Sequence, residues 1–290
     1  MLKRVDRIQI AVRDSAVAER AVIEVFGGEL LRRDDLPILR AKRSTLQVGS
    51  SLIELLASDG AGPIADFIAK HGDGLYGAGF SVDDLDAAAR HLDANGVRFE
   101  RASGQLYLDP QATFGVNAVL STHHERNPVG AIKWIYEVTN VVGDWRAASD
   151  RYAKIFNLDA AKFSPIASPE FGYTGTLTLF NPPARLDRIE ISQITDYDKA
   201  MGRFHRRRGD SLYMFFVETD DVDALATRLE ARGSKFAPRP RDKAGMPELF
   251  IHPSAFNGVL VGVSRTEHAW TWSGDPERAR RAAAIHRNRN

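Results

Sequence analysis

The chain has no cysteine, no apolar run long enough to cross a bilayer, and almost no net charge, and each absence removes a class of function. Without cysteine among its 290 residues it holds no disulfide, no thiolate zinc site and no cysteine nucleophile, so a metal would have to rest on His, Asp, Glu or Tyr. Without a long apolar run it offers neither a membrane span nor a secretory signal, so a soluble, cytoplasmic protein with no membrane partner is expected. Its 39 basic and 38 acidic residues leave a net charge of +1, which gives no broad footprint for nucleic acid. What remains is small-molecule chemistry or a protein partner. At 43% hydrophobic content the chain can bury one large or two medium cores.

An internal repeat organises it. GLYGAGFSVDDLDAAARHLDANGVRF (74–99) aligns without a gap on SLYMFFVETDDVDALATRLEARGSKF (211–236), pairing Tyr76 with Tyr213, Asp84 with Asp221 and Gly96 with Gly233, each pair 137 apart. SLIELLAS (51–58) matches DRIEISQI (187–194), and QLYLDPQATFGVNAVLS (105–121) matches ELFIHPSAFNGVLVGVS (248–264). The reading gives a first module over 1–125, a linker over 126–132 carrying a proline breaker, a second module over 133–266, and a basic tail over 267–290. The tail, SGDPERARRAAAIHRNRN, reads as a frayed terminal helix or an oligomer contact, which allows a homodimer.

Each half reads as strand, helix, then strands, twice over. In VDRIQIAV (5–12), Ile8, Ile10 and Val12 alternate with Arg7, Gln9 and Ala11 in the period of a half-buried strand. Asp14 or Ser15 can cap the helix that follows and Gly27-Gly28 can end it, while Asp83 or Asp84 caps DLDAAARHLDAN and Gly96 suits its left-handed end. Four such β-helix-β-β-β (βαβββ) units argue an α+β fold with curved mixed sheets, because a parallel doubly wound sheet needs a helix after every strand.

VDRIQIAVRD resembles the DHIGIAV-type first strand of the vicinal oxygen chelate superfamily. GLYGAGFSVDDLDAA resembles its GLHHIAFxVDDxDAA segment, and HPSAFNGVLVGV its HPxxxNGVLIEL ending. That superfamily includes glyoxalase I, methylmalonyl-CoA epimerase, extradiol and hydroxyphenylpyruvate dioxygenases and bleomycin-resistance proteins. The likeness implies two tandem modules, each a cupped sheet that in metal-using members presents four ligands to a divalent ion. It is specific for fold and weak for reaction.

At the four implied ligand places the first module carries Arg7, Glu54, Gly77 and Val119, and the second carries Glu137, Glu190, Met214 and Gly262. One donor survives in the first set and two carboxylates in the second. No cofactor is favoured, because zinc or ferrous iron needs several converging imidazole or carboxylate donors. If a divalent metal is present, Glu137 and Glu190 in the second module are its ligands. A buried salt bridge from Arg188 is the preferred account of those two carboxylates.

Alternation aims Arg7, Gln9, Glu54, Gly77, Gly79, Ser81, Asn117 and Ser121 into the first cup, and the small residues among them are expected to leave room for a ligand. Met214 and Phe216 should narrow the second cup. The first cup therefore suits a polar small-molecule substrate, with Arg7 as the catalytic group holding a carboxylate or enolate oxygen and Glu54 as general base. Gln9, Gly77, Gly79, Ser81, Asn117 and Ser121 would be substrate-binding. The bland account makes Arg7 and Glu54 a residual ion pair. The favoured function is an isomerase, epimerase or lyase moving a proton on a small oxygenated acid, aromatic ketone or acyl-CoA. The alternative is a sequestering protein of the bleomycin-resistance type, expected to have an aromatic-lined groove, and a ring-cleaving or hydroxyphenylpyruvate-type dioxygenase is third. Tyr76 and Tyr213 read as core residues turned toward the helix, His252 as a turn residue, His123 and His124 as solvated, and FHRRRGD (204–210) as a solvated charged loop, ahead of the grip on a phosphate or CoA tail that the resemblance to the epimerase suggests.

Overall fold

The computed structural model describes residues 1–180, 186–239 and 248–264; the basic tail lies outside them. The first module contains strands β1 (Leu2–Val12), β2 (Glu29–Leu36), β3 (Ala41–Val48), β4 (Ser51–Ser58), β5 (Gly74–Val82), β6 (Phe99–Ala102), β7 (Gln105–Leu108) and β8 (Asn117–Thr122). The second contains β9 (Trp134–Val142), β10 (Ser164–Ser168), β11 (Tyr173–Leu179), β12 (Arg188–Ile194), β13 (Ser211–Glu218), β14 (Phe236–Pro238), β15 (Leu249–Ile251) and β16 (Leu260–Ser264). The strand orders are β2-β3-β4-β1-β5-β8-β7-β6 and β10-β11-β12-β9-β13-β16-β15-β14, the same path walked twice. In each sheet two central strands pair antiparallel, and each pairs parallel with the last strand of its own unit. The fold is α+β, with two tandem modules of curved mixed sheet.

Four helices begin on the same device. Asp14, Asp84, Asp144 and Asp221, each just after a central strand, accept backbone N–H bonds at the starts of α1 (Ser15–Phe26), α3 (Leu85–Ala94), α4 (Trp145–Ile155) and α6 (Val222–Ala231). Each cap stabilises its helix by about 1 kcal/mol. Two further helices, α2 (Pro63–His71) and α5 (Ala200–Arg208), join the units within each module. The second corrects the reading of 204–210 as a loop, since all but its last two residues are helical.

Alternation sorts the two faces of each sheet. Ile8, Ile10 and Val12 join Val22, Phe26 and Ala88 in a core that runs on into the second module through Val138, Phe156 and Ile189. Phe80 meets the rings of both Phe156 and Phe180. The opposite faces form the cups. The modules also interlock by reciprocal seats: a Cβ on Gly115 (φ +79°) would collide with the Asp210 carbonyl, and one on Gly258 (φ +75°) with the Asp73 carbonyl. Both glycines are needed for left-handed backbone and for the close approach.

Candidate ligand-binding cups

A bulge organises the first cup. Val5 faces Phe80 and Arg7 faces Gly79, so Asp6 is an extra residue in β1, turned beside its neighbour's guanidinium. Arg7 Nη2 donates to Asp6 Oδ2 (2.8 Å) and Ser121 Oγ (3.1 Å), and Nη1 to Glu54 Oε1 (2.7 Å). Glu54 Oε1 also accepts from Arg43 Nη1 (3.3 Å), and Oε2 from Gln9 Nε2 (2.9 Å). Arg43 forks onto Asp34 (2.9 and 2.6 Å) and reaches Gln105 Oε1 (3.3 Å), which accepts from the Tyr107 hydroxyl (2.6 Å). Arg126 of the linker closes the set on Asp6 Oδ1 (2.8 Å). Three carboxylates thus meet three guanidinium groups, and the buried charge balances. Burial opposes both ions of the Asp6–Arg7 pair, yet their partners outweigh it: Arg7 and Arg126 hold the Asp6 pKa below its usual range, and Glu54 and then Asp6 hold that of Arg7 above.

Next to this network lies a cavity of about 910 Å³, walled by Gln9, Asn117, Val119, Leu39, Tyr76 and Tyr107 among others. Of the residues expected to bind substrate, Gln9 and Asn117 reach it. Arg7, Glu54 and Ser121 form the network behind the wall. The space above Gly79 is filled by the Arg7 side chain, into which a Cβ there would run, and Gly77 leaves room for Gln9 Oε1, 2.7 Å from where its Cβ would stand. The glycines therefore make room for the protein's own side chains, which corrects the expectation that they leave it for a ligand. Ser81 is fully buried and bonds His123 Nδ1 (3.1 Å), whose Nε2 meets Glu125 (2.9 Å). With Ser81 out of solvent, this chain fastens the segment ahead of the linker to β5 instead of presenting Ser81 to a substrate, and His123 is largely buried, which corrects its reading as solvated.

A second bulge decides the cavity's character. Gln9 pairs with Gly77 and Ile10 with Leu75, so Tyr76 is the extra residue of β5 and swings to the cup face, against Ala11, Leu56, Ile64 and Phe67. The alternation had turned it toward the helix of the main core. Burial raises the pKa of both Tyr76 and Tyr107 to about 12, so both remain neutral hydroxyls. Gln9 Oε1 is buried and has no protein partner. Its orientation is fixed, because Glu54 can only accept and so takes the amide NH2. Arg43, Asp34, Gln105 and Tyr107 were missed in the sequence.

The second cup repeats the geometry with other side chains. Tyr136 is the bulged residue of β9, equivalent to Asp6, and Tyr213 that of β13. Arg188 Nε donates to Glu137 Oε2 (2.5 Å), and its guanidinium lies 4.6 Å from the centre of the Tyr136 ring. Glu190 accepts from Ser192 Oγ (2.5 Å). Burial and the Glu137 charge push its pKa well above the ordinary carboxylate value. Tyr136, Met214 and Phe216 pack with Trp134 and Phe250 across the cup, and the Phe216 ring presses on Gly262.

Neither donor set fits a divalent ion. In the first cup a guanidinium occupies the first ligand place and already holds Glu54. In the second, Glu137 is tied to Arg188, burial and Glu137 oppose ionisation of Glu190, and Phe216 covers Gly262. Among the described residues no three His, Cys, Asp or Glu side chains converge on one point.

Sequence models described as the glyoxalase/bleomycin resistance protein/dioxygenase superfamily match residues 6–109 and 134–251. Among solved structures, a triple mutant of 4-hydroxymandelate synthase from Streptomyces coelicolor superposes with a TM-score of 0.69 at 14% identity, over 97% of this chain and 100% of that one. A xylose isomerase-like TIM barrel/4-hydroxyphenylpyruvate dioxygenase fusion protein gives 0.64 at 12% identity, over 91% of this chain and 49% of that one. Methylmalonyl-CoA epimerase from Mycobacterium tuberculosis gives 0.40 at 21% identity, over 47% and 89%. At these identities the likeness is one of fold. No curated protein sequence matches this one. No helix among the described residues is long and apolar enough to cross a membrane.

Proposed function

Since the chain belongs to the glyoxalase/bleomycin resistance protein/dioxygenase superfamily, whose scaffold serves many chemistries, we propose from its side chains that the first module binds a small, uncharged, hydroxyl- or amide-bearing aromatic molecule without a resident metal. One observation carries this reading: Gln9 lines the cavity, and its buried Oε1 has no protein partner while its amide NH2 is held by Glu54, itself held by Arg7 and Arg43. A buried acceptor without a donor costs about 1–3 kcal/mol, which a ligand O–H or N–H would recover. Tyr76, Tyr107 and Phe99 add ring surface, the aromatic lining expected of a sequestering protein. Asp6, Arg7, Glu54 and Arg43 act as a rigid support that stands where metal-using relatives hold their ion. The test is ligand binding by NMR with a panel of phenols and aromatic amides. Gln9→Leu should weaken binding about tenfold with little change in folding stability. Equal binding by wild type and Gln9→Leu would end the proposal.

A proton-transfer enzyme is the second reading, favoured by the position of Glu54 directly behind Gln9. Retained binding with abolished turnover in Glu54→Gln would decide for it. Stoichiometric metal in elemental analysis of the purified protein would reject the metal-free part of either reading.

A further inference from the structure

A second cavity, of about 880 Å³, opens where the modules meet and shares no lining residue with the first. Its walls carry Lys70 and His71 from the end of α2, Arg203, Arg207 and Arg208 from α5, and His252 ahead of β16; none of its lining residues is a carboxylate. Cations at a helix C-terminus are ordinary, since they offset the carbonyl dipoles there. That account covers part of the α5 terminus. His205 turns to Asp210 (2.8 Å) and Arg206 lies over Tyr197, 5.7 Å from the ring centre. The other two, with Arg203 one turn earlier and Lys70 from the first module, face one space.

Like charges are held close enough there to disturb one another. Burial and Arg207 lower the pKa of Arg208, while burial, Arg208 and Lys70 lower that of His71. The Arg208 guanidinium is fixed between two rings, 5.2 Å from the centre of Phe67 and 5.2 Å from that of Phe204. The repeat sharpens the point. Along the 137-residue offset, Arg207 and Arg208 correspond to Lys70 and His71, but Arg203 corresponds to Asp66; in the later match of 105–121 with 248–264, His252 stands where the first module has Asp109. The second module carries a basic residue at both places where the first has an acid.

We propose that this cavity binds the diphosphate group of a small organic ligand. Arg203, Arg207, Arg208 and Lys70 supply four permanent positive charges, which a single carboxylate leaves mostly uncompensated and a diphosphate nearly balances. Guanidinium forks match phosphate oxygens. Phe204 and Tyr213 offer ring surface for the organic part, and the volume is that of a small-molecule site.

The test is calorimetric titration of the full chain at about 0.15 M salt with ADP, AMP and inorganic pyrophosphate as probes. One ADP should bind per chain, in competition with pyrophosphate, and AMP about tenfold more weakly. Arg203→Glu and Arg207→Glu, both at exposed side chains, should each lower ADP affinity at least about tenfold while leaving the melting temperature near wild type. Arg206→Glu changes the net charge equally, points elsewhere, and should bind within about threefold of wild type. Absence of saturable ADP and pyrophosphate binding would overturn the proposal. So would AMP binding as tight as ADP, a loss in Arg206→Glu equal to that in Arg207→Glu, or failure of the two diphosphates to compete. Since no wall is shared with the first cup, the Gln9→Leu result neither rescues nor sinks it.

Discussion

The two cups share strand order, bulge positions and capping residues, yet one encloses a cavity beside a balanced ion network and the other is packed with rings. At the first bulge the choice is Asp6 or Tyr136. Asp6 recruits Arg7 and Arg126 and commits the cup to ion pairs; Tyr136 offers a ring face to Arg188 and commits it to aromatic packing. The first solution compensates every buried charge and leaves an unmet acceptor at the cavity. The second leaves two carboxylates beside one arginine, which bonds Glu137, so ionisation of Glu190 is opposed. A scaffold position thus sets where a side chain points, and the residue there sets whether the cup binds or merely packs.

The largest expected effect breaks the first network. Arg7→Met removes the group that joins Asp6 to Glu54 and should cost about 5 kcal/mol, the upper end for uncoupling a buried ion pair. Urea unfolding measures it, and a loss under about 1 kcal/mol would mean that the network is slack. Next, Phe216→Ala should cost about 3 kcal/mol and make the second cup resemble the first in having space. Uptake of benzene, followed by NMR, would report the new void; a cost without uptake would mean that the cup collapses. The smallest effect distinguishes the charge states. Because the folded-state pKa of Glu190 is raised, the unfolded chain releases that proton first, so stability falls as pH rises above the ordinary carboxylate range and the penalty is absent below it. Glu190→Gln should therefore melt about 2–4 °C higher than wild type at pH 8, the shift for about 1 kcal/mol, with the gap closing below about pH 4. An equal gap at both pH values would show that folding does not raise the Glu190 pKa.

Fold and repeat were legible because they rest on local chemistry. Period-two alternation, an aspartate after each central strand and the 137-residue offset depend on no distant contact. The pairing of Arg7 with Glu54 and of Arg188 with Glu137 was legible too, since β1 and β4, and β9 and β12, lie side by side with those faces together. The bulges were not. An extra residue is a property of two strands in register, so Tyr76 reads as a member of an unbroken alternation and its face comes out reversed, while nothing in the sequence marks Asp6 as the partner of Arg7. Arg43 escaped for a related reason: its cup-facing direction follows from the β3–β4 hairpin around Gly49 and Ser50, in which Arg43 stands opposite Leu56. That register could have been traced from the two-residue turn. The α2 and α5 helices escape notice because each is only nine residues long and, in α5, basic side chains dominate.

Gly115 on Asp210 and Gly258 on Asp73 are one joint made twice, as the two halves of a symmetric dimer make their contacts. Joining both copies in a single chain frees each side of the joint from having to suit its own twin. Either cup can then drift in charge and filling while the opposite seat still holds the halves in place, so the molecule keeps a dimer's geometry without a dimer's obligation to be the same on both sides.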